Sequence, residues 1–110
     1  MNTPLIDEAV GNANVSALRE ALEACAQGGS TQTVRTATRV CMEDRKKGFL
    51  SFEACLAIAA AHRMFNPGPL GLLCAKSFRA EALADKHYDP GVDEIYTLLI
   101  LNVEQLRLEA

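Results

Sequence analysis

Apolar residues fall at three- and four-residue steps in VSALREALEACAQGG, where Leu18, Leu22 and Cys25 share one helix face with Ala21 beside them. Gly28 and Gly29 mark its stop. Upstream, TPLIDEAVG predicts a short helix opened by Thr3 and Pro4, with the small, polar GNAN between the two. In STQTVRTATRVCMEDRKKG, Val34, Ala37, Val40 and Cys41 form one stripe, while Arg35, Thr36, Thr38 and Arg39 point elsewhere. Its threonines lower helix propensity, so tertiary contacts must hold it. Arg45, Lys46 and Lys47 suit a last turn, and Gly48 can take the left-handed conformation that ends a helix.

The segment FEACLAIAAAHRMF, residues 52–65, is apolar nearly all round, with only Glu53, His62 and Arg63 as exceptions. Such a pattern predicts the central, buried helix. NPGP then breaks the chain, and Pro69 can open the next helix, LGLLCAKSFRAEALADKH. Here Leu70, Leu73, Cys74, Ser77 and Phe78 fall on one side. After YDPG, a last helix runs to the terminus, with Asp89 as its cap and Asp93 and Glu94 near its positive end. This helix carries two apolar stripes. Val92, Ile95, Tyr96, Leu99, Val103 and Leu106 make the first, and Leu98, Leu101 and Leu108 make a second, displaced around the axis. One domain face absorbs one stripe, so the second points to a partner unless the helix is central.

Composition agrees with helices. The 110 residues are 49% hydrophobic and 23% charged, with no Trp, two Tyr and four Phe, so the core must be built from aliphatic helix formers. The expectation is an all-α protein, residues 1–110 forming a single compact domain of five or six helices. Neither an internal repeat nor a low-complexity segment is visible. The start has no basic n-region, and the strongest apolar run, near Thr97 to Leu101, is far short of the about 20 residues that cross a bilayer. A cytoplasmic protein with no membrane partner is expected. Cys25, Cys41, Cys55 and Cys74 are widely spaced within helical patterns, which predicts separate, buried, reduced thiols. The net charge is −3; residues 1–47 balance six basic against six acidic residues, and the remainder carries five against eight. Nucleic acid is therefore conceivable only for the first half.

The stretch EDRKKGFLSFEA has the outline of a calcium loop. Aligning Gly48 with the invariant glycine, however, puts Arg45 and Lys47 where oxygen ligands are needed, and Ala54 where the bidentate carboxylate belongs. The same letters suit a helix stop at Gly48 and a cap at Ser51, with Phe49 and Leu50 covering the joint. In DKHYD, Asp85, His87 and Asp89 alternate like metal ligands, but helix-end and capping roles account for them and no second ligand cluster is visible. No metal and no cofactor is expected. His62 sits in an apolar helix, and no Gly-flanked serine or phosphate-cradling loop accompanies it, so no catalytic residue is assigned.

Residues 20–39, EALEACAQGGSTQTVRTATR, place Ala24, Gly28, Val34 and Ala37 at packing and turn positions. In this the stretch resembles a helix-turn-helix DNA-binding unit. The resemblance covers 20 of 110 residues, and Gln27 and Gly29 depart from its apolar turn. It implies DNA contacts from Thr31, Gln32, Thr33, Arg35, Thr36 and Arg39. The leading expectation is instead a small non-enzymatic adaptor or regulator, binding a protein partner or forming a homodimer through Leu98, Leu101 and Leu108. A helix-turn-helix transcriptional regulator is the alternative.

Overall fold

The computed structural model describes the backbone of residues 3–48, 51–66 and 68–109, and the side chains of all of these except 3–7, 107 and 109. Five helices and no strand form among them: α1 (Thr3–Cys25), α2 (Thr31–Lys46), α3 (Phe52–Phe65), α4 (Pro69–Ala84) and α5 (Pro90–Glu109). They make one all-α domain, 52 Å long and 26 Å across.

The eight residues Ala54 to Ala61 and Met64 are buried, and α3 packs on each of the other four helices. It is the central helix that its all-round apolar pattern predicts. Local chemistry delimits it: the Ser51 hydroxyl accepts from the Ala54 N–H at 3.1 Å, as an N-cap should. Gly48, just past α2, has φ +92°, and so has Gly28 after α1, a backbone region that favours glycine. Ser30 caps α2 by accepting from the Gln32 N–H, and Asp89 accepts from the Gly91 N–H at the start of α5. Pro69 is the first residue of α4. The expected cover from Phe49 and Leu50, and Pro67 of NPGP, lie outside the described residues.

GNAN does not interrupt α1, which runs unbroken from Thr3 to Cys25. The reason is tertiary. Gly11 is buried, Asn14 Nδ2 donates to Asp44 Oδ2 at 2.8 Å, and the Cys41 thiol donates to the Asn14 carbonyl at 3.5 Å. Contacts with α2 thus override the weak propensity of these residues. Along α2 the stripe is narrower than expected: Val34 and Cys41 are buried, Ala37 is half-buried and Val40 is exposed.

The largest departure is in α4. Its buried residues are Gly71, Ala75, Phe78 and Ala82, whereas Leu70, Leu73, Cys74 and Ser77, which share one side with Phe78, are exposed. Close approach decides this. At the junction a Cβ built on Gly71 would stand 1.9 Å from the carbonyl oxygen of Asn66, the residue that follows α3, and along the rest of its length α4 presents Ala75, Phe78 and Ala82 inward and its leucines outward. Cys25, Cys41 and Cys55 are buried and outside any disulfide, but Cys74 follows the leucines to the surface.

Candidate functional site

On α5 the two stripes separate. Tyr96, Leu99 and Val103 are buried, Val92 and Ile95 are half-buried, and Leu106 at 38% exposure escapes the inner stripe. Leu98 and Leu101 are each 52% exposed and Leu108 is 86% exposed. At 100° per residue these three lie opposite the buried face. Tyr96 anchors the inner side. Its hydroxyl donates to Glu53 Oε2 at 2.7 Å, within an arrangement that includes Arg19 at 3.8 Å from the same oxygen. Burial and the bond to Glu53 push the Tyr96 phenol well above its usual value, so it remains a neutral donor.

Helices α4 and α5 both lie on α3, but among the described residues their Cα atoms stay more than 8 Å apart. Between them runs an open groove of about 440 Å³. Ala59, Ala60 and Ala75 contribute to its floor, and Leu72, Ile100 and Leu101 stand at its sides. Three cations line it: Arg63, Lys76 and Arg79, with Asp93 as the sole carboxylate among the lining residues. At one end Arg79 donates to Asp93 at 2.8 Å and the Tyr88 hydroxyl donates to the same oxygen, closing the gap with side chains. Burial alone would raise the Asp93 carboxyl, but the bonds from Arg79 and Tyr88 outweigh it and hold the group below its ordinary value. At the other end Arg63 pairs with Glu104 at 3.5 Å. Lys76, between them, makes no ion pair among the described residues.

Leu101 belongs both to the groove and to the outward stripe, whereas neither Leu98 nor Leu108 lines the groove. Leu72, Lys76 and Ile100 of the groove do not stand out in the sequence. A signal existed in the paired apolar and basic positions of α4 and α5, but using it required knowing that the two helices flank one channel.

For the alternative, Thr31, Gln32, Thr33, Arg35, Thr36 and Arg39 are all exposed on α2. Asn14 and Asp44 still touch about three turns from the connection, so α1 and α2 run back along each other as an antiparallel hairpin. Helices crossing at the about 90–120° of a helix-turn-helix would have separated by then.

His62 stacks on Phe78 with ring centroids 6.0 Å apart, and Asn66 Nδ2 lies 2.9 Å from its Nδ1. Burial lowers its basicity. Cys55 donates to Glu81 at 3.8 Å, and burial, reinforced by the Glu81 carboxylate, pushes its thiol up to about 12; burial and Asp44 push Cys41 up to about 11. Neither is a poised nucleophile. Asp85 accepts from the His87 N–H, and Asp89 from the Gly91 N–H, which are turn and capping roles. No described helix is long and apolar enough to cross a membrane. No family model, curated protein or solved structure matches the chain.

Proposed function

We propose that this chain is a small non-enzymatic adaptor or regulator that acts by protein–protein binding, with the outward face of α5 as its contact surface. The observation that carries the reading is the exposure of Leu98, Leu101 and Leu108 on a helix whose opposite face already supplies Tyr96, Leu99 and Val103 to the core. A helix with its packing complete has no internal use for a second leucine stripe. Burying those three leucines contributes roughly 4–6 kcal/mol before the cost of association, enough to support a dimer or a partner complex when other contacts help. The test is Leu101→Glu. It should abolish self-association in sedimentation equilibrium, or capture of a partner from cells expressing the chain, while far-UV circular dichroism is unchanged. Unfolding of the variant would return Leu101 to the core and defeat the reading.

The DNA-binding alternative retains one favourable observation: Arg35 and Arg39 are exposed on α2 and make no ion pair among the described residues. The antiparallel α1–α2 arrangement weighs against it. Retention of duplexes from a randomised pool at low salt, lost in Arg35→Ala and Arg39→Ala, would raise it above the adaptor reading.

A further inference from the structure

We infer that the occupant of the α4–α5 groove is helix α5 of a second copy of this chain, in a two-fold dimer that places each outward leucine stripe against the other copy's groove. The inference rests on the proposed function and specifies its partner.

Two features select a second copy. The first is self-complementarity. A two-fold interface uses one patch on both subunits, and Leu101 is at once a groove residue and a member of the stripe. It therefore lies near the axis, where each copy's Leu101 meets its own equivalent. The second is charge. The groove is lined by Arg63, Lys76 and Arg79 against Asp93, a positive channel on a chain of net charge −3. Arg79 is already paired with Asp93 and Arg63 with Glu104 within the chain, which leaves Lys76 as the groove's unpaired cation among the described residues. Glu94 is exposed on the outward side, one turn before Leu98 and two before Leu101, and like Lys76 makes no ion pair among the described residues. A leucine- and glutamate-bearing helix is what an apolar channel with a basic rim would receive, and α5 is such a helix.

The test uses the full chain in sedimentation equilibrium. Wild type should be a dimer at about 0.1 mM, corresponding to a Kd well below the millimolar range. Leu101→Glu should give monomer. Lys76→Glu should weaken the dimer at least about fivefold at low salt, because it reverses the unpaired rim charge facing an acidic helix. Leu73→Glu, on the far side of α4, should leave the dimer unchanged. With Cys74→Ser as background, Leu101→Cys treated with copper–phenanthroline as oxidant should yield a disulfide-linked dimer, since a disulfide requires Cα atoms within about 7 Å. A dimer that depends on Leu101 but not on Lys76, and forms no cross-link at position 101, overturns the groove assignment while leaving the proposed function standing. A wild type that is monomeric at 0.1 mM also overturns it, and partner capture sensitive to Leu101→Glu then decides the proposed function separately. Loss of the dimer in Leu73→Glu with retention in Leu101→Glu would overturn both.

Discussion

Helix α3 receives Gly71, Ala75, Phe78 and Ala82 from α4, but Tyr96, Leu99 and Val103 from α5. The first seam is made of small residues with one aromatic ring stacked on His62, and two backbones approach until a single methyl group on Gly71 would not fit. The second is made of large side chains that hold α5 away from α4. Helices α4 and α5 do not come within 8 Å of each other at their Cα atoms among the described residues, and the gap between them is the groove. The contrast teaches that close packing on one side of a helix can expose leucines: α4 gives its short side chains to the seam, so Leu70, Leu72 and Leu73 remain at the surface.

The strongest way to break this contrast is Gly71→Ala. The added methyl meets the Asn66 carbonyl where α3 passes into α4, so the start of α4 must shift, and a loss of about 3 kcal/mol is expected. Thermal unfolding should fall by more than about 10 °C; a shift under about 3 °C would mean that the seam opens freely and that α4 is not held by close approach.

Asp93→Asn attacks the polar tie spanning the gap. It should cost about 1–3 kcal/mol at pH 7, because Arg79 and Tyr88 lose their charged acceptor. The pH dependence gives the sharper reading. Folding holds the Asp93 carboxyl below its ordinary value, so its contribution is complete above the unfolded value of about 3.9 and disappears as pH falls through the lower folded value. Urea midpoints should therefore decline more steeply below about pH 4 in wild type than in Asp93→Asn. Parallel curves would contradict the tie.

The smallest effect belongs to the outer side of α4. A small thiol reagent should modify Cys74 alone in the native protein and shift stability by no more than about 0.5 kcal/mol. Cys25, Cys41 and Cys55 should react only on unfolding, bringing the count to four. Rapid native modification of Cys55 would be incompatible with its burial and raised thiol pKa.

Much of this was legible in the pattern of residues. The central position of 52–65 follows from an apolar surface with no polar side, which only a helix surrounded by others can bury. The stops at Gly28 and Gly48 and the caps at Ser51 and Asp89 follow from local chemistry that needs no distant partner. The double stripe of α5 is likewise local, and its division into Tyr96, Leu99 and Val103 inside with Leu98, Leu101 and Leu108 outside requires only that one face meet the core.

Tertiary structure alone decided the rest. Hydrophobicity alone favours Leu70 and Leu73 on the inside of α4, because burial of large apolar side chains is the dominant single-helix term. The alanine surface of α3 reverses that choice, since packing density rewards the face that comes closest, and that face is Gly71, Ala75 and Ala82. Continuity of α1 through GNAN depended on Asp44, thirty residues away, and the α1–α2 angle on contacts beyond the turn. The groove is a property of three helices at once: no single segment encodes the space between α4 and α5, only the side chains that would line it once the packing on α3 had set them apart.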